Sequence, residues 1–127
     1  MERVVDSPRS TLCIAERNAN IRELLRREFG REGYAVLTAG SGAEVLMHLA
    51  CPASVDLLVL DAEIADPEGG SLVPLVASLY PMLPVVLLVY AGSETGEGGV
   101  ARVEKGGDFE RLKHTVREVL RKRAADG

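Results

Sequence analysis

Short apolar runs alternate with amphipathic stretches along this chain. Residues 11–15 (TLCIA), 34–38 (YAVLT), 56–60 (DLLVL), 84–90 (PVVLLVY) and 100–104 are apolar or mixed runs bounded by polar, Gly or Pro residues, and they read as five strands. Between the first two, Ile21, Leu24, Leu25 and Phe29 recur at helical spacing, while Arg22, Glu23, Arg26 and Arg27 fill the opposite side. Asn20 followed by Glu23 predicts a capping box at the start of this helix, and Gly30 or Gly33 predicts its end. Ser41 with Glu44 predicts a second helix that buries Val45, Leu46 and Leu49 and closes at Pro52. Ser71 is the expected cap of a third, with Leu72, Leu75, Val76 and Leu79 inward. Pro74 is tolerated there because a first-turn residue has no intrahelical use for its N–H. Phe109, Leu112, Val116, Val119 and Leu120 predict a last helix, and its basic end suits the helix dipole.

Strands that are apolar throughout, alternating with helices, predict a parallel sheet covered on both faces: an α/β three-layer sandwich. The segment 62–70 (AEIADPEGG) reads as a loop from its Asp-Pro and Gly-Gly pairs. The segment 91–99 (AGSETGEGG) has four glycines and no large apolar side chain, so it cannot bury a helical face.

Composition narrows the class without changing this picture. The chain has 127 residues, 46% hydrophobic and 27% charged, which is one globular domain's worth. The expected limits are a tail over 1–9, a domain over 10–123 and a second tail over 124–127. Fifteen Lys and Arg against nineteen Asp and Glu give a net charge of −4, so no nucleic-acid binding is expected of this domain. No apolar run approaches the roughly 18 residues of a spanning helix, and the first residues show no signal-peptide core, so neither a membrane nor export is expected. Cys13 and Cys51 lack metal-site spacing and read as a reduced, cytoplasmic pair. His48 and His114 read as unpartnered, Cys13 as core, and the basic stretch 121–123 as a solvated helix end.

In open α/β sheets, ligands bind outside the carboxyl ends of the strands. The residues standing there are Glu16 and Arg17 after the first strand, Asp61 after the third, Val89 and Tyr90 at the end of the fourth, and Lys105 after the last. Two carboxylates and a lysine converging on one edge form a candidate site. Strand ends also return the chain to water, which by itself places charges there.

Asp61 at the end of an apolar strand, Gly69 eight residues on, Lys105 closing the last strand, and the helix IRELLRREF give a specific pattern. From about residue 10 to 121 the chain resembles a bacterial response-regulator receiver domain of two-component systems. The resemblance implies a flavodoxin-like, doubly wound sheet of five parallel strands in the order 2-1-3-4-5. It implies a signalling module rather than an enzyme, with Asp61 as the acceptor of a phosphoryl group from a histidine kinase. Lys105 would support that site, and Glu16 and Asp61 would be the ligands of Mg²⁺. Such chemistry needs the charges of the carboxylate and of the transferred group neutralised, here by a divalent cation and a lysine.

Five positions depart from that pattern. Arg17 stands where a second acidic metal ligand is expected, and a guanidinium has no lone pair to give a metal. Val89 replaces a hydroxyl residue and Tyr90 a small one. Arg102 replaces the aromatic residue three before the lysine, and Gly106 the proline after it. The fourth helix is expected to be reduced or missing at 91–99. The sequence thus predicts an atypical, pseudo-receiver form in which the Arg17 guanidinium takes the metal's place and pairs with Asp61 or Glu16. Its expected role is a phosphorylation-independent or weakly phosphorylatable interaction domain for a histidine kinase or other signalling protein, with a homodimer left open. A working phosphoacceptor at Asp61 and a flavodoxin-like small-molecule binder remain as alternatives.

Overall fold

The computed structural model describes residues 9–51, 55–89, 100–105 and 109–126. The elements run β1 (Thr11–Ala15), α1 (Ala19–Arg31), β2 (Ala35–Ala39), α2 (Gly42–Ala50), β3 (Leu57–Asp61), α3 (Leu72–Leu79), β4 (Val85–Val89), β5 (Ala101–Glu104) and α4 (Phe109–Asp126). All strand pairings are parallel, in the order β2-β1-β3-β4-β5. This is the flavodoxin-like, doubly wound sheet expected from the sequence. The expectation that a helix is reduced or missing at 91–99 falls outside the described residues, as does the expected tail over 1–9 apart from Arg9.

Side chains of a strand alternate between faces, so every central strand feeds two cores. Leu12 and Ile14 of β1 join Leu57, Val59, Val86, Leu88 and Val103 on one side, where Leu25 and Phe29 of α1 and Leu112 and Val116 of α4 cover them. Cys13 and Ala15 point the other way, with Leu58, Leu60 and Leu87, beneath Val45 of α2 and Leu72, Val73 and Val76 of α3. A sheet covered on both faces explains why β3 is buried at all five positions.

Several local readings change. The cap of α1 is Asn18, whose side-chain oxygen accepts from the backbone N–H of Asn20 (2.9 Å) and Ile21 (3.0 Å). Asn20 is already inside the helix, and the Glu23 carboxylate pairs with Arg26 instead of closing a capping box. Ser41 does cap α2, accepting from the Glu44 N–H at 3.2 Å, while the Glu44 carboxylate reaches back to the Gly40 N–H. Ser71 occupies the cap position of α3 but makes no side-chain capping bond. Leu79, expected inward, is exposed: it is the last residue of α3, beyond the stripe set by Leu72, Val73 and Val76. His48 has a partner, its Nε2 lying 2.8 Å from the Thr38 carbonyl oxygen. Helix α4 runs on to Asp126. Cys13 is buried, Cys51 is exposed, and both are free thiols.

Candidate functional site

Register gathers the strand-end residues. Ala15 of β1 pairs with Leu60 of β3, so the next residues, Glu16 and Asp61, emerge side by side. Asp61 lies opposite Leu88 of β4, and Val89 opposite Glu104 of β5, which delivers Lys105 to the same edge. The Lys105 N–H donates to the Val89 carbonyl at 2.7 Å, extending the ladder by one residue and fixing where the lysine starts. Because β1 is flanked by β2 and β3, the sheet switches winding direction between β1 and β3. Glu16, Arg17 and Asp61 stand at that switch point, where doubly wound folds bind ligands.

The carboxylate of Asp61 is fully buried. Its Oδ1 lies 2.8 Å from Lys105 Nζ and accepts the Glu63 backbone N–H at 2.9 Å. Its Oδ2 accepts from Arg17 twice, from Nε at 3.0 Å and from the backbone N–H at 3.2 Å. A carboxylate offers about four lone-pair directions, and this cluster fills them. Burial pushes the Asp61 pKa up, but the bonds from Lys105, Glu63 and Arg17 outweigh it and bring it down from 3.8 to about 2. The group is therefore an anion held by two cations.

Glu16, 1% exposed, is the second buried acid. Its Oε2 accepts the Asn18 N–H at 3.0 Å, and its carbonyl oxygen accepts from the Arg22 guanidinium at 2.9 Å. Its Oε1 is buried with no hydrogen bond among the described residues, and Lys105 Nζ stands 3.5 Å away. Lys105 thus bridges both acids with its side chain 11% exposed, whereas Arg17 is 46% exposed and reaches Asp61 from the solvent side.

The structure brings Glu16, Arg17, Asp61 and Lys105 together. Val89 contributes differently: its side chain is buried in the core beneath α3 and presents no hydrogen-bonding group to the edge. Tyr90 and Gly106 lie outside the described residues. Arg102 is on β5, exposed. Two contributors to the site carry no signal in residue type, the backbone N–H of Glu63 and that of Arg17. Asn18 could have been found as an N-cap one position before the helix.

These residues do not fit a divalent cation. Asp61 Oδ2 is already bonded to a guanidinium, and both acids lie within ion-pair distance of basic groups. Among the described residues, no three His, Cys, Asp or Glu side chains cluster as a metal site. An ion would have to displace Arg17 to reach Asp61 Oδ2.

No family model matches the chain. It is 33% identical over 82 residues to the transcriptional regulatory protein GlrR of Escherichia coli (strain K12), and equally to QseF of Escherichia coli O157:H7. The match takes in 65% of this chain but only 18% of either relative, so the chain corresponds to a small part of those proteins. A CheY-like receiver domain of Methanospirillum hungatei superposes with a TM-score of 0.81 at 18% identity, over 94% of this chain and all of that one. The response regulator TrrA of Thermotoga maritima, solved in complex with Mg²⁺ and BeF, gives 0.73 at 27% identity, over 86% of this chain and 97% of that one.

The fold is that of a receiver domain. Together with the sequence likeness, it supports a receiver domain of two-component response regulators. Among the described residues, no helix is long and apolar enough to cross a membrane.

Proposed function

We propose that this receiver-like module acts as a protein-interaction domain whose state is set by its own ion cluster rather than by phosphorylation of Asp61. Its partner is a histidine kinase or another signalling protein of the cytoplasm, and the domain itself is not an enzyme. The reading rests on one observation above all: Arg17 Nε sits 3.0 Å from Asp61 Oδ2. To accept a phosphoryl group, a carboxylate oxygen must turn a lone pair towards phosphorus, and negative charge gathered around it must be neutralised. Here Oδ2 is engaged by Arg17, and Oδ1 by Lys105 and the Glu63 N–H. Val89 offers no donor to a phosphoryl oxygen.

A second reading, Asp61 as a working phosphoacceptor, is favoured by the half exposure of Arg17. A side chain that swings into water would release Oδ2 while Lys105 stays in place. The two readings separate on treatment with acetyl phosphate and Mg²⁺, followed by detection of an acid-labile phosphoryl group that disappears in Asp61→Ala. The first reading expects no labelling of the wild-type chain, and a gain of labelling when Arg17→Asp and Val89→Thr are combined. Robust wild-type labelling establishes the second.

A further inference from the structure

We propose that the cavity at the amino ends of β3 and β4, on the sheet edge opposite the Asp61 cluster, binds a small apolar carboxylate, whose body fills the apolar space and whose charge meets Arg123. The inference stands whether or not Asp61 accepts a phosphoryl group.

Three observations carry it. The first is the space. The cavity measures about 420 Å³, and a second of about 370 Å³ shares Met82, Leu83 and Arg123 with it. Small-molecule sites commonly enclose about 300–1,000 Å³, with mostly apolar walls and a few placed polar groups. The walls here are Leu49 near the end of α2, Leu79 at the end of α3, Val55 ahead of β3 and Leu83 ahead of β4. The second is apolar surface left in water. Leu79 is 54% exposed and Met82 83%, and these two cavity residues are half of the four large apolar side chains exposed among the described residues. Apolar side chains gathered on one concave surface, unlike scattered ones, mark a binding site, and an unbranched methionine adapts to varied shapes. The third is charge. Arg123 is the one charged side chain among the described residues that line the cavity. Its Nη1 donates to the Asp56 carbonyl at 2.9 Å and to Asp56 Oδ1 at 3.2 Å, which fixes the head of a long, flexible side chain. Asp56 is itself anchored, its Oδ2 accepting the Thr11 N–H at 2.7 Å, and it does not line the cavity. A guanidinium has five N–H donors in a planar fork; among the described residues Asp56 engages Nη1 alone, so Nε and Nη2 can meet a carboxylate.

The exposed Cys51 thiol lines the same cavity and reports whether it is filled. Cys13 does not interfere, because it is fully buried and burial pushes its pKa up to about 12. The test follows iodoacetamide alkylation of Cys51 in the whole chain, with Cys51→Ser as the blank. The probes are decanoate, 2-naphthoate and the neutral amide of 2-naphthoate. Wild type is compared with Arg123→Gln and Leu79→Glu, each checked for a native circular dichroism spectrum. The expected result is that at least one acid at about 1 mM slows alkylation of wild type at least about fivefold, and that it binds each variant at least about tenfold more weakly. The amide binds wild type at least about tenfold more weakly than 2-naphthoate, since it cannot form the charged pair. Thermal unfolding gives a second readout, with the melting temperature raised by the acid in wild type but not in the variants. No slowing by either acid overturns the proposal. Equal protection by 2-naphthoate and its amide, or an Arg123→Gln variant that binds as tightly as wild type, overturns the assignment of Arg123 and with it the class of ligand. Without any probe, alkylation that slows as the protein is concentrated shows a second copy filling the cavity. Alkylation that speeds up when Val4→Glu and Val5→Glu are combined shows the chain's own first residues there. Either result overturns the proposal.

Discussion

At the scale of single residues, Asp61 shows how its immediate partners set the state of a buried acid. A buried carboxylate is costly unless charge and hydrogen bonds replace its lost water. Lys105, the Glu63 N–H and Arg17 do so here, and they hold its pKa near about 2 against the usual 3.8. A folded-state pKa below the unfolded value stabilises the fold fully above the unfolded pKa, and that stabilisation is lost as the pH falls through the folded one. The shift corresponds to on the order of 2 kcal/mol at neutral pH. Urea unfolding of the wild-type chain should therefore lose about that much between pH 5 and pH 2 beyond what Asp61→Asn loses, since an amide has no such titration. Parallel pH profiles of the two proteins would contradict this. Arg17 was legible from the sequence as an exchange of acid for base, and its pairing with Asp61 follows from Coulomb attraction between neighbouring strand ends. The orphaned Glu16 oxygen was not legible, because it depends on side-chain directions that no spacing rule specifies.

At the scale of elements, strands were easier to read than helix ends. The predicted runs fall within a residue of all five observed strands, because an unbroken apolar run bounded by turn residues has few other uses. Caps were harder: Asn18 and Asn20 both qualify by residue type, and only the backbone geometry selects Asn18. Tight element contacts were invisible. Gly42 opens α2 directly against the loop after β3, where a Cβ would come within 2.2 Å of the Ala65 carbonyl oxygen. Since that neighbour is backbone, it cannot yield by rotating a side chain. The isolated bridge between Ala65 and Ser71 ties this same loop to the start of α3. Gly42→Ala should destabilise the fold by about 1–3 kcal/mol in urea unfolding, the range of forced overpacking, although alanine is the better helix former. An unchanged or increased midpoint would show that α2 and the loop part freely.

At the scale of the whole molecule, topology does the assembling. Parallel strands all deliver their carboxyl ends to one edge, and the winding switch between β1 and β3 opens a site there before any side chain is chosen. One of the two helical layers is braced by charge away from this edge. Lys113 of α4 reaches Glu28 of α1 at 2.9 Å, with Glu32 and Glu110 close by, so the α1–α4 layer is cross-linked by charge as well as by its apolar seam. The architecture was thus readable from the alternation of apolar and amphipathic segments, whereas the state of the site depends on four side chains. In this account the module rests in one charge-neutralised state. The most direct test is the amide ¹H–¹⁵N spectrum of the chain recorded before and after addition of Mg²⁺ with beryllofluoride, a mimic of a phosphoryl group on aspartate. The signals of Glu16, Arg17, Asp61, Glu63 and Lys105 should stay where they are, and with them the rest of the spectrum. Saturable shifts that begin at these residues and spread through the strand ends would contradict it.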